Sequence, residues 1–367
     1  MTSTFRIDIP ESTLTDLKTR LERTRFATAT APDWGGGADP AYLRDLVAYW
    51  ATDFDWRKWE AHLNEYPQFL ADIDGTRVHF VHVRAPHREG EPQPLPLILS
   101  HGWPSSFLEM LPLVPLLRDH FDLVIPSLPG FMFSTLPPQK LTRERIADLW
   151  HSLMTGLGYE RYGAFGGDVG SGVSQWLAAK YPANVAGLHV IHPPLGGAGG
   201  QPYTEAEQAF FDAEAAYDVT DQGYSEIMGT RPDTIGAALI DSPAGLAAWT
   251  IDKYRDWSDC GGDVESRFDR DTLLSVLTLY WATECIGTSF RQYVDFEHNR
   301  PRPTIDVPVA VTLSHEPVML NLPRSLAERA CSDIRHWSEP RKGGHFMPLE
   351  EPVQLAAELR EFFNPLR

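Results

Sequence analysis

The sequence is poor in cysteine and has no long apolar run, and both features narrow the class of protein. Its three cysteines, Cys260, Cys285 and Cys331, are scattered and form no C-x-x-C pair. This pattern argues against a disulfide framework and against a zinc site, and it favours a reducing compartment. No run of about 18 consecutive apolar residues is present, and the first residues lack a basic leader with an apolar centre. We therefore expect a soluble, cytoplasmic protein without a membrane partner.

Positive charge is also scarce. The chain of 367 residues has 32 Lys and Arg against 50 Asp and Glu, which gives a net charge of −18, and it contains no run of basic residues. A surface of this charge repels phosphate backbones and anionic lipids, so nucleic acid is not expected as a partner. The hydrophobic fraction of 43% and the 11 tryptophans allow a large core, which excludes a disordered chain.

Hydrophobic periodicity divides the chain into four parts. Residues 1–75 are mostly helical, in two blocks, and end in a hairpin signal at Asp74–Gly75. Residues 76–199 alternate apolar strands with helices, residues 200–300 are helix-rich and aromatic, and residues 301–367 resume the strand and helix alternation. This order predicts an α/β fold with a mostly parallel central sheet flanked by helices. It also predicts a helical N-terminal extension and a helical cap over the carboxyl ends of the strands, where such sheets bind ligands.

The segment "GAFGGDVGSGVSQW" predicts a sharp strand-to-helix corner with Asp168 at its tip. In a G-x-nucleophile-x-G turn the middle side chain stands above the sheet, and the next amide points into the same space. Glycines are needed on both sides where strand and helix come too close for a Cβ atom. The alternative interpretation is structural, because Asp is also a good helix N-cap.

Two further motifs favour a hydrolytic site. "SHGWPSSF" follows the strand-like "PLPLIL", where hydrolases of this architecture form an oxyanion hole, so the amides of Trp103 and Val169 are predicted donors. "RKGGHF" places His345 between the last strand and the last helix, the position of a triad base. An acid should orient this imidazole. We prefer Glu316, which follows the preceding strand, over its rival Glu339, which follows the last strand.

With these residues assembled, the chain resembles the microsomal type of epoxide hydrolase, a family with the α/β-hydrolase fold. The resemblance covers essentially the whole chain. "HGWPSSFLE", "GGDVGS" and "RKGGHFMPLEEP" match motifs of that family, and "FRIDIPESTLTDLKTRLERTRF" resembles its N-terminal region. Ser105 stands where the family has Gly, and Val169 stands where it usually has Trp.

The resemblance implies roles for individual residues. Position by position, Asp168 matches the nucleophile, His345 the base and Glu316 the acid. Tyr224 and Tyr293 match the paired cap tyrosines that hydrogen-bond the epoxide oxygen, although spacing alone makes Tyr280 equally eligible. Trp103 and the two cap tyrosines would contact the substrate. No metal or organic cofactor is implied.

The implied reaction is the addition of water to a hydrophobic epoxide, which gives a vicinal diol through a covalent ester of Asp168. A carboxylate needs no base to activate it, so His345 would act only on the ester, in the second step. A haloalkane or haloacid dehalogenase with the same Asp and His is the enzymatic alternative. A catalytically inactive binding protein is the alternative of another class. The identity of the epoxide, the carbon attacked, the stereochemistry and the role in detoxification or natural-product biosynthesis stay open, and a homodimer is a possible assembly.

Overall fold

The computed structural model describes residues 2–86 and 93–367, and its strands form one sheet. In chain order they are β1 (Thr2–Phe5), β2 (Gln68–Ile73), β3 (Thr76–Val83), β4 (Leu95–Ser100), β5 (Phe121–Pro126), β6 (Tyr162–Gly166), β7 (Val185–Val190), β8 (Val309–Thr312) and β9 (Ile334–Ser338). Their order in the sheet is β1-β2-β3-β5-β4-β6-β7-β8-β9. The pairs from β5 through β9 are parallel, whereas β1, β2, β3 and β5 pair antiparallel. The predicted, mostly parallel sheet is confirmed.

The N-terminal part is helical, with two differences from prediction. Its helices are α1 (Glu11–Glu22), α2 (Pro40–Thr52) and α3 (Trp56–Leu63). The second predicted block is two helices rather than one, because the Asp55 side chain accepts a hydrogen bond from the Lys58 amide and caps a new helix. Strand β1 was not predicted, since its mostly exposed side chains carry no burial signal. It forms by pairing with β2.

The hairpin between β2 and β3 is confirmed. Asp74 and Gly75 both have positive φ, 48° and 78°, which is the geometry of the tight turn that matches strand twist. β3 then pairs with β5, so the hairpin attaches the N-terminal part to the central sheet.

Helices cover the parallel strands as the burial pattern requires. Every residue of β4, β6 and β7 is buried, as expected for strands with helices on both faces. The first helices of this layer are α4 (Val114–Leu117), α5 (Arg143–Gly156) and α6 (Asp168–Lys180).

A helical insertion follows β7 and corresponds to the predicted cap. Its helices are α7 (Glu205–Asp221), α8 (Gly223–Thr230), α9 (Pro232–Asp241), α10 (Pro243–Trp257), α11 (Arg270–Ala282), α12 (Ile286–Ser289) and α13 (Arg291–Val294). The N-terminal helices hold this insertion in place: the Trp50 indole donates to Thr278 Oγ1 at 3.0 Å, and the Tyr49 hydroxyl donates to Asp271 at 2.9 Å.

The chain returns to the sheet after the insertion. Helix α14 (Arg324–Glu328) lies between β8 and β9, and α15 (Met347–Glu350) and α16 (Pro352–Phe363) close the fold. Within the described ranges, no helix combines the length and the apolarity that crossing a membrane requires.

Candidate active site

The corner predicted around Asp168 lies between the end of β6 and the start of α6. Asp168 has a φ of 49°, a left-handed conformation that is uncommon for a residue other than glycine. A Cβ atom on Gly166 would lie 2.3 Å from the carbonyl oxygen of Gly170, and one on Gly170 would lie 2.1 Å from that of Ser100. The N-cap of α6 is Gly167, and no side chain caps it. The structural alternative, Asp168 as a cap, therefore does not apply.

The loop after β4 contributes the amide that was predicted as an oxyanion donor. The Trp103 N–H donates to Asp168 Oδ1 at 2.8 Å. Gly102 permits this approach, since a Cβ atom there would lie 2.3 Å from the same oxygen. The Trp103–Pro104 peptide bond is cis. Val169 belongs to the first turn of α6, where amides have no partner within the helix.

His345 and Glu316 meet as predicted, although they are 29 residues apart along the chain. His345 Nδ1 lies 2.5 Å from Glu316 Oε2, and both side chains are buried. Glu339, the rival acid, is exposed and accepts a hydrogen bond from the indole of Trp337 at 2.8 Å. The structure therefore brings Glu316, and not Glu339, to the imidazole.

Charges around His345 determine its protonation. Burial alone would lower the pKa of His345, but the Glu316 carboxylate, helped by Asp168 and Glu109, outweighs burial and raises the pKa to about 9. Burial would raise the pKa of Glu316, but the imidazoles of His192 and His345 outweigh it and hold that pKa well below its usual range. Because Glu316 is ionised, it stabilises the protonated form of the His345 imidazole.

His192 completes the site and was missed by the sequence reasoning. Its Nδ1 accepts the backbone N–H of Asp168 at 2.6 Å, which leaves the ring proton on Nε2, 3.0 Å from Glu316 Oε1. One imidazole thus links the nucleophile corner to the triad acid. The available signal was its position in "VIHPP", directly after β7, the strand next to β6.

The two predicted cap tyrosines face the corner from α8 and α13. The ring of Tyr224 is stacked on that of Trp103, with centroids 5.4 Å apart, and the ring of Tyr293 lies 6.0 Å from Tyr224. Burial, together with the negative charge of Asp168, raises the pKa of both phenols well above the usual value, so both keep their protons. Tyr280, equally eligible by spacing, is fully buried and donates to the carbonyl oxygen of Ser105 at 3.0 Å.

Lys253 is a second residue that the sequence did not single out. Its buried ammonium lies 5.1 Å from the ring centroid of Tyr224 and 2.6 Å from the Asp221 carboxylate. Asp221 also accepts the indole N–H of Trp257 at 3.0 Å. A cation over the phenol ring favours development of negative charge on its oxygen.

Two cavities meet at Asp168. One, of about 710 Å³, is lined by Asp168, His345, Glu316 and Tyr224, and the other, of about 600 Å³, by Asp168, Val169, Tyr224 and Tyr293. Asp168 and Tyr224 line both cavities, whereas His345 lines only the larger one and Tyr293 only the smaller one. The Trp103 ring is fully buried behind Tyr224 and lines neither cavity, so its predicted substrate contact is restricted to the backbone amide.

His192, Glu316 and His345 also have the residue types of a metal site, and their ligand atoms lie within 4.8 Å of one another. Within the group, His345 Nδ1 is hydrogen-bonded to one oxygen of the Glu316 carboxylate, and His192 Nε2 lies 3.0 Å from the other oxygen without the alignment of a hydrogen bond. A metal ion would have to displace both contacts, so the arrangement fits a hydrogen-bonded triad with an additional imidazole better than it fits a metal centre.

Comparison with known proteins decides the family. Residues 2–110 match the family model described as "Epoxide hydrolase N terminus", and residues 96–219 match the α/β-hydrolase fold. Pig epoxide hydrolase 1 is 31% identical over 99% of this chain and 88% of its own length. The chain belongs to the epoxide hydrolase family.

Other epoxide hydrolases agree in sequence and in structure. A protein of Stigmatella aurantiaca, named as a proposed epoxide hydrolase, is 41% identical over 99% of this chain and 85% of its own length. The crystal structure of juvenile hormone epoxide hydrolase from the silkworm Bombyx mori superposes with a TM-score of 0.90 and 26% identity, covering 100% of this chain and 95% of that one. The Aspergillus niger enzyme superposes with a TM-score of 0.84 and 29% identity, covering 100% and 97%. The predicted α/β-hydrolase fold and epoxide hydrolase class are confirmed.

Proposed function

We propose that this epoxide hydrolase opens its substrate by direct attack of Asp168 on an epoxide carbon, followed by hydrolysis of the resulting ester to a vicinal diol. The observation that carries the proposal is the position of Asp168, which lines one cavity together with His345 and an adjoining cavity together with Tyr293, while Tyr224 lines both. These groups are the nucleophile, the base and the acids that such a reaction requires.

In the first step, an oxygen lone pair of Asp168 forms a bond to an epoxide carbon as the ring C–O bond breaks. The departing oxygen carries the electron pair and takes a hydrogen bond or a proton from Tyr224 or Tyr293. Both phenols hold their protons in the resting site because burial and the Asp168 charge raise each pKa. A positioned acid of this kind contributes about 10²- to 10⁴-fold to the rate.

In the second step, water attacks the carboxyl carbon of the ester and His345 takes the proton of that water. The tetrahedral oxyanion is held by the amides of Trp103 and Val169, and each such donor is worth about 3 kcal/mol. The oxygen that the Trp103 amide already binds, Asp168 Oδ1, is in the position of that oxyanion. As the intermediate collapses, its bond to the alkyl oxygen breaks and that oxygen takes the proton held by His345, so the diol leaves and Asp168 keeps one oxygen from water. The proton of the new Asp168 carboxyl group then passes to solvent, or to the phenolate if a tyrosine gave up its proton in the first step.

The order of the two steps agrees with the charges around His345. In the resting site the negative charge of Asp168 contributes to raising the pKa of His345, so the imidazole is protonated while the carboxylate is free. Esterification removes that charge, and the pKa of His345 then falls. Formation of the ester therefore favours loss of the imidazolium proton to solvent, which leaves His345 in the form that acts as the base.

A single turnover in heavy-oxygen water, with enzyme in excess over styrene oxide, tests the covalent route. We expect label in the Asp168 side chain, located by peptide mass spectrometry, and an unlabelled diol from that first turnover. Labelled diol with unlabelled Asp168 would contradict the ester and favour direct attack by water. Halide release from a haloalkane without any diol formation would instead support the dehalogenase alternative.

A further inference from the structure

Arg143 is a cation inside the active-site space that the reaction described above does not use. It begins α5, and its side chain crosses α6 at Gly172. A Cβ atom on Gly172 would lie 2.6 Å from Cδ and 2.7 Å from Nε of Arg143, so only glycine leaves room for the arginine there. On another side, the guanidinium carbon lies 5.2 Å from the ring centroid of Phe296.

The position of this guanidinium relative to Asp168 follows from helix geometry. Gly172 is four residues after Asp168 on α6, so it lies on the same face of the helix and about 6 Å along the axis. Arg143 and Asp168 line both cavities described above. A group held by Arg143 would therefore lie about one helical turn from the carbon that Asp168 attacks.

The guanidinium has no anionic partner of its own. In the described ranges, 2–86 and 93–367, its side chain makes no hydrogen bond to protein and has no carboxylate within ion-pair distance. Two other cations of the larger cavity have carboxylate partners, Arg300 with Glu144 at 2.6 Å and Arg329 with Glu207 at 2.8 Å, whereas Arg302 donates to the carbonyl oxygen of Pro303 at 2.8 Å. Burial lowers the pKa of Arg143, although the charge of Asp168 counteracts that effect. The side chain is only partly buried, so its five donors are open to the cavity and can reach a ligand there.

We propose that Arg143 binds a carboxylate of the substrate, so that the site takes epoxides bearing an acid group about one helical turn from the ring. This inference rests on the proposed epoxide hydrolysis and names its substrate class. The guanidinium matches a carboxylate in two parallel hydrogen bonds and offsets its repulsion by Asp168. Since the protein has a net charge of −18, an anionic substrate needs such a local cation to bind beside the nucleophile.

Hydrolysis of 4-(oxiran-2-yl)benzoate, compared with that of its methyl ester, tests the proposal. The benzene ring separates carboxylate and epoxide by about the rise of one helical turn. The quantity measured is the ratio of kcat/KM for the acid to kcat/KM for the ester, in the wild type and in Arg143→Met, Arg143→Lys and Arg300→Gln. Arg143→Met keeps the apolar stem over Gly172, and Arg300→Gln removes a paired, exposed cation of the same cavity.

We expect the ratio to exceed one in the wild type and to fall on the order of tenfold to hundredfold in Arg143→Met, the range for hydrogen bonds to charged groups. The ratio for Arg143→Lys should lie between those of the wild type and Arg143→Met, because lysine keeps the charge but not the paired donors. Arg300→Gln should retain the wild-type ratio.

The outcomes separate this inference from the proposed function. If Arg143→Met slows the acid and the ester equally, Arg143 is only a counter-ion of Asp168, and the carboxylate site is refuted. A wild-type ratio at or below one also refutes it, while diol formation from the ester leaves epoxide hydrolysis standing. If the wild type hydrolyses neither compound nor styrene oxide, the proposed function fails as well.

Discussion

Replacing Glu316 by glutamine should separate the two steps of the reaction. The Glu316 carboxylate lies 2.5 Å from Nδ1 of His345 and 3.0 Å from Nε2 of His192. Glu316→Gln keeps the size of the side chain and one acceptor oxygen but removes the charge. Attack by Asp168 on the epoxide does not involve His345 and should continue, whereas hydrolysis of the ester should slow.

The size of the effect follows from the pKa of His345. The rise from 6.5 to about 9 occurs although burial opposes it, and it corresponds to about 3 kcal/mol in favour of the imidazolium. Glu316 is the largest cause of that rise, so the loss of its charge lowers the pKa of His345. Since the imidazolium forms as water attacks the ester, losing most of this stabilisation of about 3 kcal/mol slows that step on the order of 10²-fold at a pH above about 9, where the imidazole is the free base in both proteins.

The ester can be followed directly. Enzyme is mixed with excess styrene oxide and quenched in acid at times from milliseconds to minutes, at pH values from 6 to 10, and the esterified fraction is read from the intact protein mass. Above the wild-type midpoint Glu316→Gln should accumulate the ester. The pH at which hydrolysis becomes half-maximal should move down, because at lower pH the larger fraction of free imidazole offsets the weaker base. Glu339→Gln is the matched control, because that acid is exposed and accepts a hydrogen bond from Trp337, away from His345.

Two results would refute the reasoning. An unchanged midpoint in the pH dependence of ester hydrolysis would mean that Glu316 does not set the pKa of His345. A proportional slowing of ester formation and ester hydrolysis would mean that the substitution disturbs the whole site rather than the base.

Three further predictions concern neighbouring groups. Tyr293→Phe should slow ester formation, measured by rapid quench, by about 10²-fold or more, and the double variant with Tyr224→Phe should form the ester more slowly still. An unchanged rate of ester formation would exclude the phenols as acids in the first step. His192→Phe should lower the urea unfolding free energy by about 1 to 3 kcal/mol, because the Asp168 amide and Glu316 lose a buried partner, and wild-type stability would contradict this. Gly170→Ala should lower Tm or prevent folding through its contact with Ser100, whereas Gly156→Ala, with open space around it at the end of α5, should not.

Much of the fold could be predicted from local patterns. Apolar runs such as "PLPLIL" carry their own burial signal, and positive φ at the Asp74–Gly75 turn suits that dipeptide. The split between α2 and α3 was missed because one capping side chain, Asp55, restarts the helix. Strand β1 was missed because its stability comes from pairing with β2, a partner more than 60 residues away.

The site was predictable where a residue lies at a recognisable place in the fold. Asp168 and His345 follow strands and stand among glycines, so spacing and motif were sufficient to select them. His192, Lys253 and Arg143 do not stand in a motif that selects them from the sequence. Their roles follow from contacts in space: His192 with the Asp168 amide, Lys253 with the ring of Tyr224, and Arg143 with Gly172 of another helix.

The sequence by itself determined which strands are buried, where the chain turns sharply and which acid stands at that turn, because these properties depend on residues adjacent in the chain. Only the tertiary structure decided that Glu316 rather than Glu339 meets His345, that His192 joins both halves of the site, and that Arg143 lines the cavities together with Asp168. These facts depend on where loops from distant strands converge, and hydrogen bonds and charge interactions act over a few ångströms of space irrespective of separation along the chain.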